Sequence, residues 1–261
     1  MSVPAWVEQG SGDTAVLMLH GVGGGKAAFA DLMTPLARAG YRALSWDMPG
    51  YGDSASIAPF DNPGLARALE RLIDRVAARR TVLLGHSMGG MVAQEAAALF
   101  PAKIDGFIFS ATSPAFGKPG GDWQNTFLAA RFAPLDAGCG MAGLAPELVA
   151  QMVGPDTTPA VIAAAAALMA RVPEATYRAA LSAIVAFDRR ENLASIKAPV
   201  LCIAGEHDRN AAPLVMEKMA ARIPGAEYVR LPGAGHLANM EQPAAFNAVV
   251  LDFLRRHFPP A

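Results

Sequence analysis

Ser87, within Gly85-His86-Ser87-Met88-Gly89, is the residue of this chain best placed for covalent chemistry. The apolar run Thr81-Val82-Leu83-Leu84 leads into it, and a helix-forming stretch leads out from Met88. Gly-x-Ser-x-Gly between a strand and a helix is the nucleophile-elbow pattern, in which a sharp turn holds the serine strained with its hydroxyl exposed. Side chains at Gly85 and Gly89 would collide with the neighbouring strand and helix, so glycine is the residue that fits. A glycine-rich turn with a passenger serine accounts for the pentapeptide alone; the flanking strand and helix patterns favour the elbow.

A serine hydroxyl is a weak nucleophile near neutral pH and needs a base beside it. His236 stands out among the five histidines because it follows a strand in Pro232-Gly233-Ala234-Gly235-His236, whose glycines let an imidazole project. His257 lies near the last helix end and reads as structural. His86 precedes the serine, and the turn is expected to carry its side chain away from Ser87. His207 neighbours the acid candidate and ranks second. The base needs a carboxylate to fix its tautomer and stabilise the imidazolium. Asp208, in Gly205-Glu206-His207-Asp208 after a strand, is the first candidate, with Glu206 and Asp188 as rivals. No acid follows Phe109 until Asp122. Acyl transfer also needs donors for the developing oxyanion, each worth roughly 10²–10³ in rate. The backbone N–H of Met88 is one, and that of Val22, in His20-Gly21-Val22, is the other. His20 then braces this loop as a satisfied structural histidine.

These residues need a scaffold. Ala15–Leu19 is a continuous apolar run, the mark of a strand buried on both faces. The pattern predicts further strands at Arg42–Trp46, Phe107–Phe109, Val200–Ala204 and Tyr228–Leu231, with an edge strand somewhere in Val3–Gln9. Helices are predicted over Lys26–Ala39, Pro63–Arg80, Met88–Phe100 and Pro213–Arg222, and a last one carries Phe246, Val249, Val250, Phe253 and Leu254 at helical spacing. Strands alternating with helices imply an α/β fold with a doubly wound, mostly parallel sheet, whose active site lies beyond the C-terminal strand ends. Every loop singled out above falls at such an end. From Pro114 to Asp188 short helical patterns replace the alternation, with Thr158-Pro159 as an N-cap and first helical turn. The expected organisation is a core of residues 1–113 and 189–261 with a helical cap at 114–188.

At 261 residues, with 52% hydrophobic residues and a net charge of −1, the chain is long enough for one large core. The near-zero charge argues against nucleic acid or a membrane surface as partner. Cys139 and Cys202 make no framework, and Cys202 reads as a small core residue. No signal peptide is visible, and the longest apolar run, Pro159–Ala170, is too short to span a bilayer, so a soluble, cytoplasmic protein is expected. Gly23-x-Gly25-x-x-Ala28, with Asp47 about 20 residues on, matches a dinucleotide fingerprint. That reading leaves Ser87, Asp208 and His236 at three strand ends by accident. A P-loop fails because Ala27 stands where Ser or Thr is needed.

The order Ser87, Asp208, His236 resembles that of the α/β-hydrolase superfamily. His20-Gly21-Val22 resembles its oxyanion loop, and Asp47-Met48-Pro49-Gly50-Tyr51-Gly52-Asp53-Ser54 its D-x-P-G-x-G-x-S loop. Gly85–Gly90 resembles its elbow; Gly205–Asp208 and Gly235-His236 resemble its acid and base loops. The resemblance implies an eight-stranded sheet with a helical cap inserted before the acid loop. Too few residues precede Ala15 for the usual opening hairpin, so one strand fewer is expected. The chain is most similar to small bacterial esterases and 3-oxoadipate enol-lactonases, through Ala186–Asp208. This implies a serine hydrolase of a small-molecule ester or lactone, with no metal and no organic cofactor.

For the substrate pocket the cap offers Trp123, Phe127, Arg131, Met141 and Met152, with Phe116 and Phe132 nearby. Such residues line adaptable apolar pockets, though they also pack cap against core. Arg131 would suit a substrate carboxylate; a solvated surface arginine explains it as well. C–C bond hydrolysis of a vinylogous diketone by the same triad is the second enzyme reading. A ligand-binding receptor with a vestigial triad is the reading from another class. Oligomeric state is not legible.

Overall fold

Continuous burial along the apolar runs builds the sheet. The computed structural model describes residues 2–117 and 121–260. Its seven strands are β1 (Trp6–Gln9), β2 (Thr14–Leu19), β3 (Arg42–Trp46), β4 (Arg80–His86), β5 (Gly106–Ser110), β6 (Val200–Gly205) and β7 (Glu227–Leu231). They lie in the order β1-β3-β2-β4-β5-β6-β7. Only β1 runs antiparallel, pairing Trp6 with Trp46 at the sheet edge. β2 pairs in parallel with β3 and β4, and β4 to β7 continue in parallel. The mostly parallel α/β fold and the missing eighth strand are as the sequence implied.

The central strands are buried on both faces, and the alternation of side chains splits the core in two. Leu17, Leu19 and Leu83 face one cluster with α2 (Asn62–Val76) and α3 (Met88–Leu99). Val16, Met18, Val82 and Leu84 face the other, with α1 (Ala30–Arg38) and the C-terminal helix Pro243–His257. On that helix Phe246, Val250, Phe253 and Leu254 are fully buried, each worth roughly 1.5–3 kcal/mol of apolar transfer. Cys202 is a buried core residue, its thiol pushed up to about 12 by burial.

Some predicted ends move. The helix expected at Lys26–Ala39 begins as a 3₁₀ turn, Lys26–Phe29, before α1. The helix expected to reach Arg80 stops at Val76: Ala77 turns left-handed at φ +47°, and the Arg42 guanidinium caps the Val76 carbonyl at 2.8 Å. Arg80 is thereby freed to open β4.

Between β5 and β6 the chain runs through α4 (Asp122–Asp136), α5 (Gly140–Ala150), α6 (Pro159–Ala170) and α7 (Glu174–Val185). Thr158 caps α6 by accepting from Val161 N–H, with Pro159 in the first turn. The two stems of this insertion pair with each other. Arg189 N–H donates to Pro114 O at 2.8 Å and Phe116 N–H to Phe187 O at 3.1 Å. The Arg189 guanidinium then forks onto the buried Glu95 of α3 at 2.8 and 2.5 Å. After β6 come α8 (Pro213–Ala220), the short α9 (Ala238–Glu241) and α10 (Pro243–His257). Among the described residues no helix is long and apolar enough to cross a membrane.

Candidate active site

Ser87 sits between β4 and α3 with φ +51° and ψ −118°, a backbone conformation that costs a non-glycine residue about 1–3 kcal/mol. The surroundings enforce it. Ser87 N–H donates to Ser110 O at 2.9 Å. A Cβ on Gly89 would lie 2.0 Å from Leu19 O, so α3 approaches β2 only because that residue is glycine.

Opposite, the loop after β7 presents His236. Its Nδ1–H donates to Asp208 Oδ2 at 2.8 Å, which leaves Nε2 as the acceptor of the neutral ring. Asp208 Oδ1 accepts from the backbone N–H groups of Asn210 (2.7 Å) and Ala211 (2.9 Å). Burial pushes the Asp208 carboxyl up, but the imidazole and the two amides outweigh it and hold the group below the usual carboxylate range. Asp208 and His236 are 3% and 5% exposed. The rivals lie elsewhere. Glu206 accepts from Gly233 N–H, Asp188 pairs with Arg190, and His257 pairs with Glu227. His207 is exposed.

His86 lies beside the base, its ring 5.0 Å, centroid to centroid, from that of His236. Burial, with the neighbouring His236, pushes it down to about 3, so it stays neutral.

The two loops chosen for oxyanion donors come together. A Cβ on Gly21 would lie 3.0 Å from Ser87 Cβ. A trans peptide is planar, so holding its carbonyl also aims its N–H in the opposite direction. The Gly21 carbonyl is held by His20 Nδ1 at 2.8 Å and Gly24 N–H at 3.0 Å, which aims Val22 N–H. The Ser87 carbonyl is held by Thr112 Oγ1 at 2.8 Å and Gly90 N–H at 2.9 Å, which aims Met88 N–H. His20 is fully buried, and its Nε2 accepts from Met48 N–H at 3.0 Å. Burial pushes its pKa down to about 4. Tyr51 O–H donates to Val22 O at 3.0 Å.

Asp47, the ribose acceptor of the dinucleotide reading, is 2% exposed and engaged. It accepts from Lys26 N–H (2.8 Å), Lys26 Nζ (2.7 Å) and Asp53 N–H (3.1 Å).

Two compartments open at Ser87, and Val22, Met152 and His236 line both. The smaller, about 510 Å³ with its solvent-open space, is walled by Val149, Ala165, Leu168, Met169 and Met240. The larger, about 840 Å³, is walled by Phe116, Trp123, Phe127, Arg131, Tyr177 and Ile184. Of the pocket residues expected from sequence, Trp123, Phe127, Arg131 and Met152 lie on these walls. Met141 does not belong with them: it is 6% exposed and packs in the hydrophobic cluster, because that face of α5 turns inward. Tyr177, Arg209 and Thr112 were missed. Tyr177 sits on a helix whose pattern says only that one face is buried, and Thr112 acts through a backbone carbonyl.

Known proteins share this fold. The chain is 30% identical over 262 residues to polyketide synthase ThaQ of Burkholderia thailandensis, covering 96% of this chain and 12% of that protein's length. It is 29% identical over 278 residues to a pimeloyl-[acyl-carrier protein] methyl ester esterase of Edwardsiella ictaluri, covering 97% and 98%. The solved enol-lactonase of Burkholderia xenovorans LB400 superposes with a TM-score of 0.86 at 26% identity, covering 96% and 95%. Residues 16–249 match the Alpha/beta hydrolase family, and the chain belongs to it.

Proposed function

We propose that the protein is a serine hydrolase that cleaves a carboxylic ester or lactone of a small molecule through an acyl-enzyme on Ser87. Ser87 Oγ attacks the carbonyl carbon as His236 Nε2 takes its proton, and Asp208 stabilises the imidazolium. The amides of Val22 and Met88 receive the charge on the carbonyl oxygen. The tetrahedral intermediate collapses, and the departing alkoxide takes the proton from His236. A water deprotonated by His236 then attacks the acyl carbon, and Ser87 leaves with the proton as the acid is released. The substrate's two halves divide between the two compartments.

The observation that carries this reading is the strained Ser87, at φ +51°, sharing a cavity wall with an imidazole tied to a buried carboxylate. The names of the similar proteins, a methyl ester esterase and an enol-lactonase, support an ester or lactone. The wall of the larger compartment carries Arg131 and Arg209 and, among the described residues, no acidic one, which supports a substrate with a negative group at its far end.

The test is a panel of esters, lactones and dienoic ketones, with and without a terminal carboxylate, given to the protein and to Ser87→Ala. Turnover by the parent, its loss by at least 10³-fold in the variant, and stoichiometric fluorophosphonate labelling at Ser87 are expected. Activity retained in Ser87→Ala removes the acyl-enzyme. Turnover of the dienoic ketones alone replaces C–O by C–C cleavage. A parent that binds but neither turns over nor labels is a receptor.

A further inference from the structure

The base loop is held from outside by a residue that the proposed reaction does not use. Glu241 closes α9, and its carboxylate accepts from the N–H groups on both sides of His236. Gly235 N–H lies 3.1 and 3.0 Å from Oε1 and Oε2, and Leu237 N–H lies 2.9 Å from Oε1. His236 N–H itself donates to Met152 O at 2.7 Å. All three amides at the base are therefore fixed.

The same carboxylate reaches the helical insertion. Oε2 also accepts from Gly154 N–H and from Thr157 Oγ1, each at 2.7 Å. Residues 152–157 join α5 to α6, which wall the smaller compartment. Their backbone lies directly on the base loop: a Cβ on Gly235 would be 2.5 Å from Gly154 N. Of these bonds only the one from Leu237 N–H belongs to the start of α9, whose N-cap residue is Leu237. The bonds to Gly235, Gly154 and Thr157 lie outside the helix. They gather charge-assisted hydrogen bonds, the strong kind, where the insertion meets the base.

We propose that Glu241 is a positioning residue that locks the His236 loop to residues 152–157 of the insertion, so that the imidazole keeps its aim only while the insertion is seated. The proposal rests on the hydrolase reading above. Glu241→Gln keeps the length but turns an NH₂ group toward donors that need an acceptor. In the full chain, with an activated aryl ester, kcat falls about 10²-fold, the scale of a misplacement near 1 Å, while KM stays within about threefold. Inactivation by a fluorophosphonate, which needs the same base, slows by a similar factor. A purely structural role moves neither rate in a variant with a native far-UV spectrum. A folded Glu241→Gln with kcat within twofold of the parent, or with a change in KM alone, overturns the proposal.

Should that variant not fold, Thr157→Val removes one donor on the insertion side and leaves Glu241 in place. A several-fold fall in kcat at constant KM, recovered by Thr157→Ser, is expected; unchanged kcat overturns the proposal. A parent inert toward every ester and the probe overturns the hydrolase reading itself, and the proposal with it.

Discussion

At the scale of residues the site depends on carbonyls as much as on side chains. Two peptide planes, Gly21–Val22 and Ser87–Met88, are each pinned through their oxygen, which fixes the direction of their N–H groups. Thr112 is the side chain that pins the second. Thr112→Val keeps the shape and removes the hydroxyl, while Gly90 N–H still holds the Ser87 carbonyl. The loss of one such bond, about 0.5–1.5 kcal/mol, predicts a fall in kcat of roughly 2- to 12-fold with little change in KM. Steady-state kinetics on the aryl ester checks it, and an unchanged kcat shows that the helix amides suffice. The elbow was legible because its glycines answer a local demand: at Gly89 no side chain fits. Thr112 was not, because it lies 25 residues away and its hydroxyl bonds to a backbone carbonyl. Glu241 was not, because nothing in its spacing tells which amides its carboxylate will meet.

At the scale of elements the strands were legible and some helix ends were not. A parallel strand must be apolar on both faces, so its composition marks it whatever it packs against. A helix end depends on what arrives to satisfy its last carbonyls. For α2 this was Arg42, a side chain from a strand 34 residues earlier. The insertion announced its presence by the loss of strand–helix rhythm but not its anchorage. Arg189 ties its returning stem to Glu95, which is 2% exposed on α3, the helix that begins at Ser87. Hydrogen bonding and charge attraction from Glu95 raise the Arg189 pKa. Removing one partner leaves a buried charge uncompensated, a loss of 3–5 kcal/mol for fully buried pairs. Arg189 is 31% exposed, so water softens this. Arg189→Met is expected to lose roughly 2–3 kcal/mol in urea unfolding at pH 7, and Arg189→Met with Glu95→Leu to recover most of it. A double variant as unstable as the single one contradicts the assignment of the loss to the stranded carboxylate.

At the scale of the whole molecule the buried histidines set how stability follows pH. His20 and His86 are both enclosed, and burial pushes them from the ordinary 6.5 down to about 4 and about 3. Protonating His20 would also place a proton on Nε2, the atom that accepts from Met48 N–H. Above pH 6.5 both rings are neutral folded and unfolded, and neither biases the equilibrium. Below it the unfolded chain takes up two protons that the folded chain refuses, so stability falls with pH. The fall begins near pH 6.5 and continues to about pH 4 for His20 and about pH 3 for His86, on the order of 3–5 kcal/mol for each at 1.36 kcal/mol per pH unit. Asp208 adds a loss of the same sign at lower pH. Its folded pKa lies below the unfolded value, so the stability it contributes is present above the unfolded value and is lost as pH falls through the folded one. Thermal unfolding followed by circular dichroism from pH 8 to 4.5 is expected to show a flat midpoint down to about pH 6.5 and a steep decline below. His20→Asn, which carries no titrating ring, is expected to flatten that decline whatever it does to the midpoint at pH 8. A decline equally steep in His20→Asn would mean that the ring under the oxyanion loop takes up its proton while folded, and that the neutral Nδ1–H form aiming Val22 N–H does not persist in mildly acidic solution.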